Sequence, residues 1–113
     1  MLFRSTTWRG TSEPYNDSAW THGTPIIPSK TGGVGYENCS GYQNYISYDV
    51  KSRMYNIIQS CYIRIPFTVN AEDLAGFNML TFRARCDDGF VAFINGTEIA
   101  SINKPSPLNW NSG

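Results

Sequence analysis

The chain has 113 residues, 41% hydrophobic and 14% aromatic, which is enough apolar matter for a core and too much for a disordered tail. Nine basic residues balance nine acidic ones, so no net field favours nucleic acid or an acidic membrane. No apolar run approaches the ~20 residues of a spanning helix.

The size fits one small domain or part of one. Met1-Leu2-Phe3-Arg4 leads straight into Ser and Thr, so no signal peptide is visible. The far end stops at Asn109-Trp110-Asn111-Ser112-Gly113 without a closing strand, which reads as a truncated module. Abundant Tyr and Asn with few Lys correlate with extracellular β-rich proteins.

Residues 1–60 read as a loop-rich half. Glu13-Pro14, Asn16-Asp17-Ser18, Pro25 through Pro28 and Gly32-Gly33-Val34-Gly35 punctuate its first forty positions. Spaced rings at Trp8, Tyr15, Trp20 and Tyr36 can pin such a loop by burying area without regular structure. Gly33 and Gly35 predict positive φ or a close backbone approach. They are not a phosphate loop, because no GK[ST] ending follows. Tyr42, Tyr45 and Ile46 fit i, i+3, i+4 spacing and predict a short helical turn within 42–56.

Residues 61–102 predict four antiparallel strands. In 61–69, Cys61, Ile63, Ile65 and Phe67 share one parity, and Pro66 confines the strand to an edge. Asn70 through Gly76 is a connection with one helical turn. In 78–86, Leu80, Phe82, Ala84 and Cys86 oppose Thr81, Arg83 and Arg85, the pattern of a half-buried strand. Asp87-Asp88-Gly89 is a turn. Phe90 to Ile94 and Thr97 to Ile102 flank Asn95-Gly96, a type I′ hairpin signal. Residues 103–113, with Pro105 and Pro107, read as loop. The expected fold class is therefore all-β, a sandwich in which a second layer covers the apolar parity.

Three cysteines, Cys39, Cys61 and Cys86, do not close a disulfide framework. Buried thiols are the preferred reading, with a single disulfide left open beside it. Zinc is disfavoured, since there is no CxxC and His22 is the one histidine.

Taken together, Tyr62 through Val69, Leu80 through Arg85 and Asp87 through Ala100 resemble a module of large secreted bacterial proteins of planctomycete type. Such modules stand beside lamin-tail or spore-coat-kinase-like domains. Asp17-Ser18-Ala19-Trp20, Gly33 to Glu37, Ser40-Gly41-Tyr42, Met54-Tyr55-Asn56 and Leu108 to Ser112 fit the same resemblance. More distantly, the pattern is similar to the galactose-binding-like jelly roll. The resemblance implies a jelly-roll β-sandwich, extracellular or at the cell surface, with further strands after the hairpin. It implies no catalytic residues.

The candidate sites are few. Aromatic rings stack on sugar faces, so Trp20, Tyr36, Tyr42, Tyr45 and Trp110 are the ligand-binding candidates, with Arg83 and Arg85 as polar partners. For each ring the competing role is packing, and for the arginines a surface ion pair with Glu98 or Asp88. Arg64 carries the same two readings. Phe67, Phe82, Phe90 and Phe93 are assigned to packing. Asp87 and Asp88 offer hard oxygens to calcium. The preferred alternative is that they cap the turn while Gly89 supplies positive φ. Adjacent carboxylates make a poor glycosidase pair, and no GxSxG is present. The N-x-[ST] sequons at Asn16, Asn38 and Asn95 add nothing specific.

These residues favour a non-catalytic module that binds a polysaccharide or cell-surface glycan. A structural spacer or protein–protein contact domain in a larger chain is the rival, and a glycoside-active fragment comes third.

Overall fold

In a computed structural model, residues 7–22, 33–39 and 41–109 are described. In chain order, a 3-10 turn at Thr7–Arg9 precedes strand β1, Gly33–Gly35. A second 3-10 turn, Gln43–Tyr45, leads into β2, Ile46–Asp49. Helices α1, Lys51–Met54, and α2, Ala71–Gly76, come next. Strands β3, Phe90–Ile94, and β4, Thr97–Ile102, complete the set.

The result corrects the expected fold class. The described residues form a small mixed α/β arrangement of two two-stranded sheets and two helices, not a jelly-roll β-sandwich. One sheet pairs β1 with β2 in parallel, which the all-β meander did not foresee. The predicted strands 61–69 and 78–86 enter no ladder. The physical reason lies in what strands require. Alternation sets which side chains share a face, but a ladder also needs a neighbouring backbone to bond. Pro66 lacks a donor, and among the described residues no strand pairs with either segment.

The hairpin follows the local chemistry. Asn95 and Gly96 hold φ of 48° and 81°, the two left-handed positions that a type I′ turn needs. Ile94 pairs directly with Thr97 across this turn. Register then shifts, because Phe93 faces Glu98 while Ala92 faces Ala100, leaving Ile99 as the extra residue of a bulge.

The chain divides into two compact units. The first comprises the described residues 7–15 and 62–106. Here Trp8 stacks on Tyr62 with ring centres 4.8 Å apart and meets Phe93 edge-on at 6.5 Å. The Arg9 guanidinium lies 4.4 Å from the Phe93 ring centre, a cation–π contact. The Gly96 amide donates to the Arg9 carbonyl at 2.8 Å, fixing the 3-10 turn to the hairpin. Helix α2 starts at Asn70, whose side-chain oxygen accepts from the Asp73 amide at 2.8 Å. Glu72 and Asp73 place negative charge in its first turn, where the helix dipole favours it.

The second unit comprises the described part of 16–61 with 107–109. Gly33 serves the close approach its composition predicted, because a Cβ there would overlap the Tyr45 carbonyl oxygen. Neither Gly33 nor Gly35 has positive φ. Within 42–56, Gln43–Tyr45 and Lys51–Met54 are helical, but β2 interrupts them. β-branched and aromatic Ile46 and Tyr48 suit a pleated strand better than a helix.

Burial is sparse. Val50, 6% exposed, is the one buried hydrophobic side chain among the described residues. Phe67 and Phe82, assigned above to packing, are both exposed. Cys39 and Cys61 are free and exposed, and Cys86 is free and half-buried, which corrects the expectation of three buried thiols. Trp110, Pro25 to Pro28 and Gly32 lie outside the described residues.

Candidate contact surface

The first unit carries an open groove of about 450 Å³. Met79, Leu80, Thr81 and Phe82 line it together with Ile94, Ile99 and Ala100 of the hairpin. Its construction follows from the sequence. Helix α2 ends at Gly76, and Phe77 turns extended at φ −91°, ψ 124°, so the chain leaves the helix toward 79–82. Ile94 is the last residue before the turn, and Ile99 is the bulge residue that nothing opposes. The Phe82 and Phe90 rings lie 6.1 Å apart at a tilt.

This groove is apolar and uncovered. Met79 is 80% exposed and Leu80 65%. Along the same unit Ile63, Ile65 and Phe67 are also exposed. Covering a side chain of this size stabilises by roughly 1.5–3 kcal/mol, so leaving them in water forgoes a large driving force. No backbone hydrogen bond joins residues 79–84 to another described residue. Their amides and carbonyls face solvent or a partner.

A charged clasp stands elsewhere in the unit. The Arg64 side chain, 11% exposed, donates from Nη1 to the Trp8 carbonyl at 2.7 Å. Its Nη2 meets Glu13 Oε1 at 3.1 Å, and its guanidinium lies 4.6 Å from the Tyr15 ring centre. Glu13 also accepts from the Tyr15 amide at 2.9 Å. That amide, then Arg64, hold the Glu13 carboxyl below its ordinary range. Of the two readings open for Arg64, the ion pair is the one seen, and its partner Glu13 lies 51 positions away with no periodic signal.

Among the described residues, Arg83 takes neither of the cross-strand partners expected of it. Glu98 instead pairs with Lys104 at 2.6 Å, and this hydrogen bond lowers its pKa. Asp88, not Gly89, carries the positive φ of the turn, at 69°. An acidic side chain tolerates that backbone better than most. Gly89 is required for a different reason, since a Cβ there would stand 2.7 Å from the Ile102 carbonyl oxygen. Among the described residues, no group of three or more His, Cys, Asp or Glu is gathered for a metal ion.

In the second unit a polar recess of about 150 Å³ is lined by Glu37, Gln43, Ile46, Ser47 and Asp49. Glu37 organises it by accepting from the Cys39 amide at 2.8 Å and the Tyr42 amide at 3.1 Å. Those two bonds, the Cys39 one foremost, lower its carboxyl pKa. Asp49 accepts from the Lys51 amide at 2.7 Å. Of the ring candidates, Tyr42 meets Tyr45 edge-on at 6.1 Å, and Tyr36 meets Tyr55 edge-on at 5.9 Å. Trp20 follows a turn closed by its amide on the Asp17 carbonyl at 2.8 Å. Nothing in the spacing around Glu37 announces that its carboxylate would accept from the amides two and five residues on. Candidates Trp20, Tyr36, Tyr42 and Tyr45 thus belong to the second unit, and Arg83, Arg85, Asp87 and Asp88 to the first.

No protein-family model, no curated protein and no solved structure matches the chain.

Proposed function

We propose that the chain is a protein–protein contact module whose first unit covers its apolar groove with another polypeptide. The observation that carries this reading is the open groove of Met79, Leu80, Phe82, Ile94 and Ile99. Exposure supports it: Met79, Leu80, Ile63, Ile65 and Phe67 of the same unit all lie in water, where covering each would stabilise by roughly 1.5–3 kcal/mol.

Carbohydrate binding is the second reading. The polar recess at Glu37, Gln43, Ser47 and Asp49 supports it, together with the exposed Tyr42 ring whose backbone it holds. Sedimentation velocity of the whole chain, alone and with extended peptides of apolar alternation, separates the two. The contact reading expects a mass increase in at least one arm, abolished by Met79→Asp with Leu80→Asp. A chain that stays monomeric in every arm, yet binds sugars on a glycan array, overturns it.

A further inference from the structure

The groove has a particular shape of partner written into its rim. Residues 79–84 offer a run of backbone donors and acceptors without partners among the described residues. Met79, Leu80, Thr81 and Phe82 of that run all line the groove, and Arg83 follows them directly. Arg83 is exposed and has neither an ion pair nor a hydrogen bond among the described residues. An incoming strand that bonds to this backbone would therefore meet a mostly apolar surface along 79–82 and positive charge at Arg83.

We propose that residues 79–84 are a docking edge for one extended β-strand that carries apolar side chains and an acidic residue facing Arg83. This deepens the contact-module reading and rests on it. Ladder bonds to 79–84 supply the register, as in other strand additions. Apolar side chains of the guest fill the groove against Leu80, Phe82, Ile94 and Ile99. The volume of about 450 Å³ takes several aliphatic side chains. An acidic side chain of the guest meets Arg83. Opposite charges directly across strands stabilise the pairing and like charges oppose it, so Arg83 selects against a basic guest.

The test uses the whole chain and fluorescence anisotropy with two labelled nine-residue peptides, one alternating Val and Glu and one alternating Val and Lys. The Val/Glu peptide is expected to bind about fivefold or more tightly than the Val/Lys peptide at low salt. Arg83→Glu is expected to narrow or reverse that preference, and Leu80→Asp to abolish binding of both. Leu80 and Arg83 are exposed, so neither change threatens the fold, and circular dichroism checks this. Equal binding of the two peptides overturns the charge-selected strand. Self-association with no peptide binding overturns it too, by showing that a second copy covers the groove, and leaves the contact-module reading standing. A chain that neither self-associates nor binds either peptide overturns both.

Discussion

Leu80 and Ile99 line the same groove, one from a segment outside any ladder and the other from the bulge of β4, and both are exposed. A bulge residue has no cross-strand partner, and a residue outside a ladder has no strand neighbour to pack on. Two local irregularities thus leave a single apolar recess, and burial of that recess is the driving force left unused in the free chain.

Exposure separates side chains that hold the fold from those that await a partner. Val50→Ala removes methyl groups from the one buried hydrophobic position and should cost about 1–2.5 kcal/mol. Ile65→Asp, at a residue 79% exposed, should change stability by no more than about 0.5 kcal/mol. Urea unfolding of both variants checks the contrast.

The Arg64 clasp ties residues 8–15 to the segment that begins at Tyr62. Arg64→Ala strips the Trp8 carbonyl of a charged donor and should cost about 1.5–3 kcal/mol. Glu13→Gln should cost clearly less than Arg64→Ala, because Glu13 is half exposed and solvent screens the pair. Denaturant titration of the two variants reads the difference. Equal losses would contradict the assignment of the main contribution to the carbonyl bond.

Gly96 combines φ of 81° with a close neighbour, since a Cβ there would overlap the Thr11 methyl group. Gly96→Ala should destabilise by about 1–2 kcal/mol from backbone strain alone. Shortening Thr11 in a Gly96→Ala, Thr11→Ser double variant should recover the steric part and leave the strain. Thermal unfolding of the pair measures both contributions.

Acid should loosen the Glu37 loop. The folded carboxyl pKa lies below its ordinary value, so its stabilisation is fully present above the ordinary carboxylate range. It is lost as pH falls through the lowered folded value. Glu13 and Glu98 share this sign. Amide shifts of Cys39 and Tyr42 followed by NMR should titrate together in wild type. In Glu37→Gln that titration should vanish, and its persistence would contradict the role given to Glu37.

Local chemistry was the legible part of this sequence. Asn95-Gly96 dictates its own backbone, and the strands beside it run from Phe90 to Ile94 and from Thr97 to Ile102 as read. Asn70 to Gly76 likewise holds its helical turn. Alternation in 61–69 misreported parity, since Cys61, Ile63, Ile65 and Phe67 are exposed while Tyr62 and Arg64 of the other parity meet Trp8, and neither run could report a partner, because ladder formation depends on distant backbone. The same limit hid β1 beside β2, where Gly33 of a three-residue strand pairs with Ile46. Candidate residues were legible as chemical types only. Tyr42 neighbours the Glu37 recess through its amide rather than its ring, and Arg64 found Glu13 through tertiary contact that no spacing encodes.

Amide hydrogen exchange across residues 79–84 is the most direct probe of the central claim. Free chain should exchange these amides almost as fast as an unstructured peptide, and saturating Val/Glu peptide should slow them at alternate positions. Strong protection in the free monomer, or no change at saturation, would contradict the account.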